Sequence, residues 1–395
     1  MDWQKMCSFC VVVFFGFSGI LAFSADAESY AIVSPSTNDL DISSMIQPVG
    51  EENILSQEDH YVWGGSGIEG EDGKYYLFYA RWPKGMTGRA EGDELFSGFR
   101  GWLKYSEIAV AVSDEPAGPF KHLKTIITGT KEEDKWHRFN AHNPHIKRFD
   151  GKLYLYYIGT NPAEGIANTW YAYANGQKIG VAVASSVQDF LAGDFEICDE
   201  PLVEPDEEKT HQRAVNPSVT RGHDGRYYMM FKSRAKPLGG KGDHMTHWCA
   251  ASGSPDGPFE LVGPVLQGGD YSAEDPYFWY DKGRERYYAI VKNFSRSKVL
   301  APQFGALALI TSTTPAKNWR PAKNSLVSLK QYTKPDGSVQ KLNNLERPQL
   351  LFDGDGKPIA LYAASAEKQP WNNNHTVNVQ FKLAEPAEEA QGASE

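Results

Sequence analysis

From about residue 60 to residue 383 the chain repeats one pattern of apolar and polar positions five times. A short apolar segment carrying an X-Pro step is followed by a turn dipeptide and then by an aromatic run. The clearest copies read His142-Asn143-Pro144-His145-Ile146 then Asp150-Gly151-Lys152-Leu153-Tyr154-Leu155-Tyr156-Tyr157, and Val215-Asn216-Pro217-Ser218-Val219 then Asp224-Gly225-Arg226-Tyr227-Tyr228-Met229-Met230-Phe231. A fourth copy runs Glu274-Asp275-Pro276-Tyr277-Phe278 to Arg286-Tyr287-Tyr288-Ala289-Ile290-Val291. A fifth runs Glu346-Arg347-Pro348-Gln349-Leu350 to Asp355-Gly356-Lys357-Pro358-Ile359-Ala360-Leu361-Tyr362. The first copy lacks the proline: Trp63-Gly64-Gly65-Ser66, then Asp72-Gly73-Lys74-Tyr75-Tyr76-Leu77-Phe78-Tyr79. The Asp-Gly dipeptides supply the positive-φ positions of tight hairpin turns, and the β-branched and aromatic runs suit strands. A third strand of small apolar residues follows in each copy: 108–112, 179–184, 248–251, 306–310 and 377–381. Several copies close on a polar loop ending in Pro-Phe or Asp-Phe, as in Gly118-Pro119-Phe120, Gly193-Asp194-Phe195 and Gly257-Pro258-Phe259.

The anchor residues Gly64, Asn143, Asn216, Asp275 and Arg347 recur at intervals of 79, 73, 59 and 72 residues. Four-stranded units at this spacing, five times over, predict an all-β, five-bladed β-propeller. One such sheet cannot bury both faces by itself, whereas five packed radially cover one another. The propeller is expected over residues 51–383, with 28–50 as an N-terminal lead-in and 384–395 as a flexible tail. Residues 1–27 read as a secretory signal: Lys5, an apolar run from Cys7 to Phe23, then Ala25-Asp26-Ala27 as a cleavage site. The expected location is therefore secreted or periplasmic, with no membrane contact after removal of the signal.

Composition narrows the function. The formal net charge of −10 argues against a sequence-independent nucleic-acid binder, which needs a basic face. Aromatic residues make up 13% of the chain, enough to wall a sugar-binding cavity as well as fill blade interfaces. Of the four cysteines, only Cys198 and Cys249 lie beyond the signal. They either pair in an oxidising compartment or sit as two buried strand thiols. No CxxC or CxxH spacing suggests zinc.

In a propeller the innermost strand of each blade opens near the axis, so the residues beside each repeat proline converge. The converging sets are Trp63/Gly64/Gly65, Ala141/His142/Asn143, Val215/Asn216, Glu274/Asp275 and Glu346/Arg347. Three acids crowded into one funnel push their pKa values apart, which acid/base chemistry uses. Each has a plainer reading: Asp275 as a turn cap, Glu346 as a partner of Arg347 or a lysine, His142 as a hydrogen-bonding wall. Asn143 and Asn216 cannot titrate and only position other groups. Arg81, Lys232, Arg234 and Lys292 recur at the ends of second strands, either as solvated rim or as receptors for an anionic ligand. Trp63, Trp82 and Trp136 are candidates to stack on sugar faces or to fill the core.

These residues resemble the five-bladed propeller glycosidases, glycoside hydrolase family 43 with families 32, 62 and 117. The resemblance runs from about Glu51 to Leu383 through the blade pattern. It implies cleavage of glycosidic bonds by three carboxyls: a blade-1 Asp as base, a blade-3 Asp that tunes and orients, and a blade-4 Glu as acid. Glu274, two residues before Pro276, matches the acid. The blade-3 position is Asn216, and blade 1 offers Gly64 or Gly65 with no carboxyl. The partner of Glu274 is then Asp275, Glu346 or Asp59, which stands beside His60. Strand alternation would point Glu274 and Asp275 to opposite faces, which favours Glu346. Some family-43 relatives hold an axial calcium, which the resemblance leaves open here although this chain has no loop of alternating acids for one; no other cofactor is expected. The expected function is a secreted glycoside hydrolase acting on a plant or algal polysaccharide or oligosaccharide, with an anionic substrate in reach of the basic residues. The alternatives are a propeller that binds carbohydrate without cleaving it, and a glycoside phosphorylase resembling family 130.

Overall fold

The computed structural model describes residues 39–85, 94–162, 168–206, 208–234, 244–370 and 375–385. The chain divides into two compact units, Met1–Ser34 and Pro35–Glu395, and every described residue belongs to the second. The signal segment therefore lies outside the described residues, as do 28–38 of the lead-in and 386–395 of the tail.

Five four-stranded antiparallel sheets make up the unit. Blade 1 runs outward through His60–Glu69, Tyr75–Pro83, Glu107–Ser113 and Lys121–Ile127. Blade 2 comprises Ala141–Phe149, Lys152–Thr160, Gln177–Ala184 and Glu196–Ile197. Blade 3 is Val215–Arg221, Tyr227–Arg234, Met245–Ser252 and Glu260–Pro264, and blade 4 is Ala273–Asp281, Arg286–Asn293, Leu307–Ser312 and Arg320–Ser328. Blade 5 takes three strands from the end of the repeat, Asn344–Phe352, Pro358–Ala366 and Val377–Lys382. Its outermost strand is Ile54–Leu55, from the start of the chain, so the ends of the propeller are stitched into one sheet. Innermost strands touch in the order blade 1, 2, 3, 4, 5 and back to 1. This is the five-bladed propeller that the repeat predicts.

The Asp-Gly turns behave as their chemistry requires. Gly73, Gly151, Gly225 and Gly356 have φ between 74° and 82°, and in blade 2 Asp150 joins Gly151 in the left-handed region to close a two-residue hairpin. Side chains on the innermost strands tie neighbouring blades. Ser66 Oγ accepts from the Ile146 amide at 3.1 Å, Ser218 Oγ from Phe278 at 2.8 Å, and His145 Nε2 from Val219 at 2.9 Å. The described part of the lead-in packs on blades 4 and 5 through Leu40, Ile42, Met45 and Val49, and Ile46 bridges to Leu383. A small hairpin, Gln331–Thr333 with Val339–Lys341, lies between blades 4 and 5 and has no counterpart in the repeat. Cys198 and Cys249 are free thiols.

Trp136 is part of the core. It is buried against Tyr157, and its Nε1 donates to the Cys198 carbonyl at 3.0 Å. Gly159 and Gly180 leave room for its indole, and a Cβ on either would be driven into the ring. Gly180→Ala is therefore expected to destabilise the protein by about 1–3 kcal/mol. Thermal melting followed by tryptophan fluorescence checks this, and an unchanged melting temperature would contradict the packing.

Candidate functional site

At the mouth of the axis the five innermost strands share one irregularity. Pairing with the second strand slips between Val62 and Gly65, His142 and His145, Val215 and Ser218, Glu274 and Tyr277, and Glu346 and Gln349. In blades 2 to 5 the residue before the proline sits in the left-handed region: Asn143 (φ 50°), Asn216 (59°), Asp275 (56°) and Arg347 (56°). Asn and Asp tolerate this conformation, but for arginine before proline it carries roughly 1–3 kcal/mol of strain. The bulge re-aims side chains that a regular strand would alternate. Glu274 and Asp275 consequently both line the axial cavity, contrary to the expectation from strand alternation.

The anchor residues join across the axis. Asn143 Nδ2 donates to Asn216 Oδ1 at 2.9 Å, Asn216 Nδ2 to Asp275 Oδ1 at 2.5 Å, and the Arg347 amide to Asp275 Oδ2 at 3.2 Å. Gly64 completes the circle without a side chain. A Cβ there would meet Arg347 Cβ at 3.0 Å and Asn143 Oδ1 at 3.1 Å. Where the family resemblance expects a blade-1 carboxylate, the stem of Arg347 fills the space.

The cavity has a volume of ≈ 190 Å³, below the roughly 300–1,000 Å³ of pockets for drug-sized ligands and suited to one sugar ring. One wall is aromatic: Trp63, Trp82, Phe99, Trp102 and Trp170. Trp102 stacks on His142 with ring centres 4.6 Å apart, Trp63 meets Phe99 edge-on at 5.1 Å, and Trp102 meets Trp170 at 6.2 Å. The opposite wall carries Glu274, Asp275, Glu346, Lys232, Arg213 and Arg347.

Charge on that wall is tightly organised. Lys232 Nζ lies 2.8 Å from Glu274 Oε1, and Lys292 Nζ donates to Glu274 Oε2 at 3.0 Å and to Glu346 Oε1 at 2.7 Å. The shared ammonium keeps those two carboxylate oxygens at most 5.7 Å apart. Burial alone would raise the Glu274 pKa, but the two lysines outweigh it and hold the carboxyl well below its usual range. The two lysines thus favour the ionised form of this carboxyl, whereas the family resemblance expects a proton donor at Glu274. Asp275 is shifted the other way. Burial and the neighbouring Glu274 charge raise its pKa, against the pull of Lys232, Arg347 and Lys292. Asn344 Nδ2 donates to Glu346 Oε1 at 2.7 Å, and Glu346 Oε2 accepts from no described residue. Burial keeps the His142 imidazole neutral, and its Nδ1 lies 2.8 Å from Ser106 Oγ, which fits a wall rather than an acid.

Four expected site residues lie elsewhere or are enclosed. The Asp59 side chain is 78% exposed, pairs with His60 and does not line the cavity. Arg81 is held on blade 1 by Glu107 at 2.8 Å and Thr125 at 2.8 Å. Arg234 lines a separate hollow with His244, Phe294 and Phe304. Lys292 reaches the site only through the two glutamates. Trp63, Trp82, His142, Asn143, Asn216, Lys232 and Arg347 do line the cavity. Sequence reasoning missed Phe99, Trp102, Trp170, Gln177 and Arg213. The first two come from short helices, Gly98–Gly101 and Trp102–Tyr105, inserted between the second and third strands of blade 1. Trp170 opens the helix Trp170–Asn175 in the matching insert of blade 2. The signal was the length of these two inserts together with their aromatic content. Among the described residues no cluster of three or more His, Cys, Asp or Glu side chains is placed to hold a metal ion.

No family model and no curated protein matches the sequence. Solved structures match along nearly the whole propeller. A thermostable family-43 glycoside hydrolase superimposes with a TM-score of 0.54 at 13% identity, over 88% of this chain and 98% of the other. A family 117 glycoside hydrolase from the marine bacterium Zobellia galactanivorans gives 0.56 at 15% identity, over 84% and 92%. A family-43 enzyme from Xanthomonas citri, solved with xylotriose, gives 0.51 at 15% identity, over 84% and 90%. At these identities the likeness is one of architecture: the chain has the five-bladed propeller fold of solved family-43 and family-117 glycoside hydrolases.

Proposed function

We propose that the protein is a secreted glycoside hydrolase that accepts the terminal sugar of a plant or algal polysaccharide or oligosaccharide. The observation that carries this reading is the meeting of three carboxyl side chains from adjacent blades in a cavity of one-sugar size, opposite a wall of indoles. Indole faces stack on the apolar faces of sugar rings, and paired carboxyls supply the proton and the base that glycoside cleavage needs. The fold shared with solved glycoside hydrolases adds a prior only, since one fold hosts many functions.

Within this reading the electrostatics assign roles. Asp275 lines the cavity, and burial and the Glu274 charge raise its pKa, so it is assigned the proton that passes to the leaving glycosidic oxygen as the anomeric C–O bond breaks. Glu346 presents Oε2 as the base that takes a proton from the attacking water. Glu274 stays ionised between Lys232 and Lys292 and positions both lysines.

The test is hydrolysis by the purified protein of aryl glycosides and of plant and algal oligosaccharides. Single sugars should be released, and Glu346→Gln should lower kcat by about 10²-fold or more with its fold intact. A second reading, a propeller that binds carbohydrate without cleaving it, is favoured by the lysine clamp that holds Glu274 toward its ionised form. Oligosaccharide binding with no product from any substrate would establish that reading and overturn the enzymatic one.

A further inference from the structure

Arg347 occupies an unusual position. Its side chain is 2% exposed and lines the axial cavity. Among the described residues, none of its three guanidinium nitrogens has a hydrogen-bond partner. The Asp275 carboxylate is bound by the Arg347 backbone amide, not by its side chain. Glu346 is bound by Lys292 and Asn344. A buried guanidinium with no partner is costly, and here left-handed strain is added to it. Gly64 in blade 1 is what admits the side chain, because a Cβ there would press on the Arg347 stem.

The surrounding charge points the same way. The site gathers three carboxyls and four basic side chains, Arg213, Lys232, Lys292 and Arg347. The carboxyl of Glu274 is already matched by two lysines, and burial and the Glu274 charge push Asp275 toward its neutral form. The cavity is thus locally positive in a chain whose formal net charge is −10. A positive pocket with low-dielectric walls selects anions from solution.

We infer that Arg347 is the receptor for an oxyanion on the bound sugar, so that the preferred ligand is an acidic monosaccharide unit carrying a carboxylate or a sulfate ester. A guanidinium presents a planar fork of N–H donors that matches either group with two parallel hydrogen bonds. The indole wall would take the ring while the fork takes the substituent. This rests on the sugar-binding reading of the cavity but not on turnover, and it names the class of sugar.

Calorimetric titration of the full protein tests it without catalysis. Glucuronate and galacturonate are compared with glucose and galactose, and glucose 6-sulfate separates the sulfate source from the carboxylate one. At least one acidic sugar should bind at least about tenfold more tightly than its neutral parent, and inorganic sulfate should compete with it. Arg347→Met should abolish the preference, and Arg347→Lys, which keeps the charge and loses the fork, should retain only part of it. If Arg347→Met does not fold, sulfate competition in the unaltered protein still decides. Equal affinity for acidic and neutral sugars, a preference that survives Arg347→Met, or an acidic sugar not displaced by sulfate would overturn the inference. So would tight binding of inorganic phosphate coupled to phosphate-dependent cleavage of a neutral glycoside, since the fork would then serve a co-substrate. Release of neutral sugars with no acidic preference sinks this inference alone. An acidic preference without any cleavage sinks only the hydrolase reading.

Discussion

Asp275→Asn is expected to lower kcat by about 10²–10⁴-fold while leaving sugar binding largely in place. The substitution keeps the size of the side chain and an oxygen that can accept from Asn216 Nδ2, at the loss of the bond that Asp275 Oδ2 accepts from the Arg347 amide. It removes the cavity carboxyl whose pKa burial and the Glu274 charge raise. The pH profile carries the sharper information. Asp275 has a raised pKa, so the active, protonated form persists above the usual carboxylate range and is lost as pH rises through the shifted value. The alkaline limb of kcat should therefore belong to Asp275 and should disappear with the residual activity of the variant. Glu274→Gln provides the contrast. Glu274 is ionised throughout the working range because Lys232 and Lys292 hold it so, and its loss should alter KM and stability without removing that limb. If the alkaline limb persisted in Asp275→Asn and vanished in Glu274→Gln, the proton would belong to Glu274 after all.

The fold was legible because its unit is local. A turn dipeptide needs a positive φ, an aromatic strand needs a partner, and five copies of that unit have few ways to bury themselves. Each part repeats in the sequence, so degeneracy in the first copy does not hide it. The site was legible in position and obscure in chemistry. Counting to the residue before each proline located Asn143, Asn216, Asp275 and Arg347 correctly at the axis. It could not reveal that these residues stand on bulges, so the rule of alternating faces failed at Glu274 and Asp275. Nor could it show that the basic residues at second-strand ends divide into two kinds. Lys292 lies directly opposite Glu274 in the blade-4 ladder, and Lys232 reaches the same carboxylate from blade 3. Arg81, at a comparable place in blade 1, turns instead to Glu107. The aromatic wall was hidden for another reason. Trp102 and Trp170 sit in inserts that belong to no repeat, and a loop residue carries no periodic signal of where it folds back.

The clamp on Glu274 has a consequence for stability that is separate from catalysis. Lys292 is 7% exposed, and its Nζ is shared between Glu274 and Glu346. Burial by itself would lower its pKa, yet the two carboxylates outweigh burial and drive it far above its ordinary 10.5. Lys292→Met leaves Glu346 with Asn344 alone and Glu274 with one lysine in a low-dielectric site. Removing one partner of a buried pair typically costs about 3–5 kcal/mol, which corresponds to a fall in melting temperature of roughly 4–7 °C for a unit of this size. The pH dependence follows from the directions of the two shifts. Glu274 has a folded pKa below its ordinary 4.5, so its contribution is complete above that value and is lost as pH falls below it. Lys292 has a raised folded pKa, so its contribution is complete below 10.5 and is lost as pH rises beyond it. The native protein should accordingly gain stability from this cluster across the interval between those values, and Lys292→Met should lose most there and least at its acid edge. Adding Glu274→Gln to Lys292→Met removes one stranded charge and should restore part of the loss. Melting curves of the three proteins from pH 4 to 9 make the comparison. Equal melting temperatures for the native protein and Lys292→Met near neutral pH would mean that the cluster is solvated and that Glu274 is free to titrate, which would reopen its claim to the catalytic proton.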